Sequence, residues 1–137
     1  MPDTVTRRDH FSVAVANAPG AAASVLTSLA AGGVNFTGFW GYSLGPDRGA
    51  LELIPENAAA FRKAARKAKV AIGKKQTCLL IQGKDRPGAV GGHMATLGAA
   101  GINVHAAQGL CAGAGKYAAV IYVAPGDVRK AARALGA

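Results

Sequence analysis

The sequence predicts an α+β chain made of two copies of one βαββαβ unit, on three observations. The chain matches itself when displaced, the matched helices keep the same apolar face, and strand-like segments joined by Gly and Pro turns lie between them. Displaced by 68 residues, Pro19-Gly20-Ala21 falls on Pro87-Gly88-Ala89. Ala22, Leu26 and Leu29 then fall on Val90, Met94 and Leu97, an i, i+4, i+7 spacing that marks one side of a helix. Gly33-Val34-Asn35 falls on Gly101-Ile102-Asn103, where Gly suits a left-handed helix end and a β-branched residue opens the next strand.

Taken in order, Phe11, Val13 and Val15 alternate with small or polar residues, as in a half-buried strand. The first helix follows Pro19-Gly20. Val34 to Ser43 and Ala50 to Ile54 read as strands joined across the turn Gly45-Pro46-Asp47-Arg48-Gly49. A second helix places Phe61, Ala64, Ala65 and Ala68 on one face and Arg62, Lys63, Arg66 and Lys67 on the other, and Val70-Ala71-Ile72 offers a short closing strand. The second copy supplies a strand over Thr77 to Ile81, its helix, strands over Ile102 to Leu110 and Tyr117 to Val123 around Gly113-Ala114-Gly115, and a last helix with Val128, Ala131, Ala132 and Leu135 inward. The sequence stops at Ala137 directly after that helix, so the last strand of the second repeat is expected to be missing. With both helices of each copy on one face of an antiparallel sheet, the arrangement is ferredoxin-like. The expected boundaries are an N-terminal arm over 1–8, repeat 1 over 9–73 and repeat 2 over 74–137.

Sixteen Lys and Arg against seven Asp and Glu give a formal charge of +9, which favours anionic partners. The first ten residues, MPDTVTRRDH, hold no apolar run of the signal-peptide kind, and no apolar run reaches the ~20 residues of a spanning helix, so a cytoplasmic location without membrane attachment is expected. Cys78 and Cys111 lack CxxC spacing and are expected to be reduced, each a small apolar residue in a strand.

Asp85-Arg86-Pro87-Gly88-Ala89-Val90, followed by Leu97-Gly98-Ala99-Ala100-Gly101-Ile102-Asn103-Val104, resembles the signature of ACT domains, the regulatory modules of enzymes such as aspartokinase and phosphoglycerate dehydrogenase. In the first copy Asn17-Ala18-Pro19-Gly20 and Gly33-Val34-Asn35 match, and the rest agrees in hydrophobic pattern; together the copies cover nearly the whole chain from Phe11. The resemblance implies a stand-alone tandem protein, not an enzyme, that binds a small effector such as an amino acid in an allosteric, sensory or regulatory role. It also implies a dimer or other homo-oligomer, and an enzyme as the regulated partner.

The residue chemistry of the second copy fits such a ligand. A helix N-terminus presents free N–H groups and partial positive charge to a carboxylate. Asp85 offers an acceptor to an ammonium, Arg86 a guanidinium, Pro87, Gly88 and Ala89 the turn, and Asn103 both donor and acceptor. A structural reading stands beside this one: Asp85 caps the helix, Pro87 and Gly88 make its entry, and Asn103 fixes a strand end. In the first copy Asn17 replaces Asp and Ala18 replaces Arg, so Asn17, Pro19, Gly20 and Asn35 would form a degenerate or differently selective site.

Other motifs carry less. In GLCAGAGK (Gly109 to Lys116) the first Gly of a phosphate loop falls on Leu110, and Tyr117 stands where Ser or Thr would hold magnesium, so the stretch reads as a hairpin turn. His10, His93 and His105 lack metal-ligand spacing, and neither a metal nor a cofactor is expected. Trp40 reads as sheet packing or an oligomer contact. The basic helix faces, with Arg129, Lys130 and Arg133 on the last helix, leave two alternatives: an anion or nucleic-acid-binding module, and an assembly domain without ligand. Tyr117 to Tyr122 does not match the aromatic RNP1 pattern of RNA-binding sheets.

Overall fold

The computed structural model describes residues 2–137 and contains six strands and four α-helices among them: β1 Thr4–Ala16, α1 Ala21–Ala31, β2 Phe36–Ser43, β3 Arg48–Pro55, α2 Ala58–Lys67, β4 Gln76–Lys84, α3 Ala89–Ala99, β5 Val104–Gly113, β6 Lys116–Val123 and α4 Val128–Ala134. The β-α-β-β-α order occurs twice, as the self-match of the sequence requires. Two compact units result, one of residues Asp9–Gln76 and one of Thr77–Ala137 together with the described residues up to Arg8. Of the arm expected over 1–8, the described residues 2–8 belong to the second repeat's unit, and β1 runs through the boundary.

In the Asp9–Gln76 unit the strands lie in the order β2-β3-β1, all antiparallel, with Phe11 opposite Leu53 and Phe39 opposite Leu53 on its other side. Phe11, Val13, Leu51 and Leu53 alternate along their strands and so share one sheet face, where they pack with Leu29 of α1 and Phe61, Ala64 and Ala65 of α2. The Phe11 and Phe61 rings meet at 4.9 Å, and the Arg62 guanidinium lies 5.0 Å above Phe11. Asn57 caps α2, its side chain accepting from Ala60 N at 2.9 Å. Val70-Ala71-Ile72 forms no strand; Val70 and Ile72 pack on the core, and only the next residue reaches the sheet, Gly73 N donating to Ser12 O at 2.8 Å.

The other unit repeats the plan with β4-β6-β5, Leu79 opposite Ile121 and Ala107 opposite Ile121. Leu79, Ile81, Tyr117, Ala119 and Ile121 face Ala89 and Leu97 of α3 and Ala131 and Ala132 of α4. Among the described residues no strand follows α4. The repeat's fourth-strand position is taken by Thr4–Arg8: Val5 packs on this core, the Cys78 thiol donates to Arg8 O at 3.7 Å, and Asp3 sits against Gly83. Cys78 is buried, whereas Cys111, on the outer strand β5, is exposed. The apolar reading therefore holds for Cys78 and fails for Cys111.

Candidate functional site

Asp85, Arg86, Gly88, Ala89, Val90 and Gly91 line one side of a cleft of about 460 Å³, and Gly109, Leu110, Cys111 and Tyr117 line the other. The loop before α3 and the middle of β5 face each other because β5 returns antiparallel to β6, bringing Cys111 opposite Tyr117. Gly88 is the residue before α3, at φ 79°, with no side chain capping the helix. Asp85 therefore does not cap α3. Only Gly takes this left-handed conformation without strain, and its repeat counterpart Gly20 stands at φ 83° before α1. The first turn of α3 thus opens with uncapped N–H groups beside the cleft.

The loop is anchored by its own backbone. Asp85 N donates to Gly115 O at 2.8 Å, tying it to the β5–β6 turn. The first repeat shows the equivalent bond, Asn17 N to Asp47 O at 3.2 Å. Asp85 is exposed, and its carboxylate pushes the pKa of the Cys111 thiol up.

Arg86 has a partner that the motif does not reveal. Its Nη1 donates to Asp3 Oδ1 at 3.1 Å and to Lys84 O at 2.8 Å, and its Nη2 to Asp3 Oδ2 at 3.0 Å. The Tyr117 hydroxyl donates to Asp3 Oδ2 at 2.6 Å, and His93 Nε2 lies 2.7 Å from the same oxygen. The Asp3 side chain is 4% exposed. Arg86 first, then Tyr117 and His93, hold its carboxyl far below the ordinary 3.8. Burial, and then the Asp3 carboxylate, push the Tyr117 phenol up to about 12. Asp3, His93 and Tyr117 were missed from sequence because they come from three elements that share no motif.

Other expected site residues lie elsewhere. Pro87 is exposed in the loop and does not line the cleft. Asn103 follows the far end of α3, and 11 helical residues at ~1.5 Å each separate it from Gly88. It is exposed and does not line the cleft with Asp85. In the first repeat the Asn17 amide donates to Ser43 Oγ at 2.9 Å and to Gly45 O at 2.7 Å, and the Asn35 amide donates to Glu56 Oε1 at 2.8 Å. Both amides tie strand ends together, and Pro19 is exposed beside Gly20.

The Asp9–Gln76 unit holds a polar cluster of its own on the sheet face away from Phe11 and Leu53. Glu52, 8% exposed, has His10 Nε2 at 2.6 Å and accepts from Ser12 Oγ at 2.5 Å and Tyr42 OH at 2.7 Å. Trp40 stacks on His10 with 5° between ring planes, so it serves sheet packing. Glu52 raises the Tyr42 pKa. Among the described residues no group of three or more His, Cys, Asp or Glu is placed to hold a metal, and no helix is long and apolar enough to cross a membrane.

No family model and no curated protein matches the sequence. Solved structures do match. Protein BT0572 from Bacteroides thetaiotaomicron superposes with a TM-score of 0.82 at 20% identity, over 96% of this chain and 88% of that one. The regulatory subunit of aspartate kinase from Thermus thermophilus (ligand free form) gives 0.67 at 14% identity, over 98% and 95%. A C-terminal regulatory domain assigned to aspartate kinase from Porphyromonas gingivalis gives 0.53 at 17% identity, over 97% and 94%. At these identities the likeness is one of fold, and it agrees with the motif at Asp85 to Val104: the chain is built as two ACT-fold repeats.

Proposed function

We propose that this is a sensory or regulatory protein, not an enzyme, which binds an amino acid or a similar small metabolite in the cleft of its second repeat. The observation that carries the reading is the convergence, in one cleft, of the uncapped start of α3, the Asp85 carboxylate and the Arg86 guanidinium. A zwitterion needs donors for its carboxylate and an acceptor for its ammonium, and this cleft provides both within two adjacent residues and a helix turn. The shared fold with regulatory subunits of aspartate kinase supports a regulatory role, with an enzyme as the regulated partner. Signalling would require the ligand to favour one arrangement of the protein over another, since equal affinity for both shifts nothing.

The first-repeat loop is the weaker candidate, because Asn17 and Ala18 stand there in place of Asp85 and Arg86, so it offers neither the carboxylate nor the guanidinium. An oligomer is part of the proposal. Leu110 is 78% exposed on the outer strand β5, at the cleft's edge, and a second copy pairing there would cover it.

Thermal melting against the twenty amino acids tests the reading. A ligand at about 100 times its dissociation constant adds roughly 2.7 kcal/mol, a readily measured rise. One amino acid should raise the melting temperature of the wild type and lose that effect with Asp85→Ala. If none does, while oligonucleotides stabilise the chain only at low salt, the basic faces of α2 and α4 are the functional surface instead.

A further inference from the structure

The groups that close on Asp3 come from the loop before α3, from α3 itself and from β6. They form a two-point guanidinium fork with two further groups converging on one oxygen, which is how a carboxylate is held when it is removed from water. Arg86 and Tyr117 also line the cleft, so the pocket and the cleft share a wall. The carboxylate now in the pocket belongs to the chain's own second described residue, at the start of the segment that fills the fourth-strand position. An attached group of this kind acts at high effective concentration.

We propose that Arg86, His93 and Tyr117 form a carboxylate-binding site that Asp3 fills in the resting chain, and that the carboxylate of a ligand entering the cleft takes Arg86 over from Asp3. This rests on the reading of the cleft as an amino-acid site and gives it a built-in competitor. No covalent bond is made or broken: one carboxylate replaces another in the hydrogen bonds of the same guanidinium. The favoured ligand is an α-amino acid whose ammonium faces Asp85, the neighbour of Arg86 on the cleft wall. Loss of Arg86 removes the two-point tie among the three side chains that hold Asp3, leaving His93 and Tyr117. Ligand occupancy is thereby coupled to how firmly residues 2–8 are held.

The test uses Asp3→Ala, which empties the pocket, melted in sodium acetate and in sodium chloride at matched ionic strength. Acetate should raise its melting temperature by several degrees more than chloride, saturably, and should show no such preference with wild type or with the double variant Asp3→Ala, Arg86→Ala. Acetate acting no differently from chloride on Asp3→Ala overturns the site. Should Asp3→Ala not hold its fold in chloride, the same comparison on the isosteric Asp3→Asn decides, acetate again having to outdo chloride. The amino acid found by melting is then titrated into wild type and Asp3→Asn, with binding about tenfold tighter expected once the competitor is neutral. Equal affinities with inert acetate would sink the exchange and leave the cleft reading standing. Acetate rescue with no amino acid binding would keep the carboxylate site and remove the cleft reading.

Discussion

Asp3 and Arg86 join the ends of a long stretch of chain through two hydrogen bonds of 3.1 and 3.0 Å, which makes the N-terminal segment part of the second repeat. Asp3→Asn keeps the shape and removes the charge, and it should destabilise the protein by about 2 kcal/mol, a fall of roughly 6–10 °C in melting temperature. Calorimetry at neutral pH measures it.

The same pair fixes a pH dependence. The folded-state pKa of Asp3 is depressed below its ordinary 3.8, so its contribution is fully present above that value and is lost as pH falls through the folded pKa. The gap between wild type and Asp3→Asn should be constant from about pH 5 to 8 and close below about pH 4. Tyr117 acts at the other end: its pKa is raised from 10.0 to about 12, so its contribution is whole below 10.0 and is lost as pH climbs towards 12. Wild type should therefore lose its advantage over Tyr117→Phe in strong alkali. Melting curves across both ranges check the two signs.

Gly83 is required by Asp3. A Cβ at Gly83 would collide with the Asp3 carboxylate. Gly83→Ala should cost about 1–3 kcal/mol in the wild type and clearly less in Asp3→Ala, which lacks the two nearest atoms. A double-mutant cycle by urea denaturation gives the coupling; independent effects would place Asp3 elsewhere.

Leu29 and Leu97 occupy the same repeat position, and both are fully buried, one in each core. Leu29→Ala and Leu97→Ala should each cost about 3 kcal/mol, measured by denaturant unfolding. A cost for one without the other would break the equivalence of the repeats.

The repeat was legible because Pro-Gly entries, Gly stops and a 3.6-residue apolar period are local signals that survive in both copies, as at Leu29 and Leu97. The Thr4–Arg8 strand was not. Its TVTRR sequence holds one apolar residue, Val5, and ends in two adjacent arginines, too little for a strand period to show, and only the strand position it fills gives it a place in the sheet. Arg86 was legible from its motif, but Asp3 lies 83 residues away and His93 and Tyr117 sit on other elements, so nothing in local spacing joins them. Asn103 was placed with Asp85 because the motif lists them together, whereas the length of α3 sets them at opposite ends of a helix. Asn17 and Asn35 have the right chemistry for a ligand, yet the fold uses both amides to bind its own strand ends.

The most direct test of the amino-acid cleft is a backbone amide NMR titration of the wild type with the amino acid that raises its melting temperature. The account predicts saturable shifts at Asp85, Gly88 to Gly91 and Gly109 to Cys111, with Asn17 and Gly20 to Ala22 of the first repeat unmoved. Shifts confined to the first repeat, or none around the cleft at saturating ligand, would contradict it.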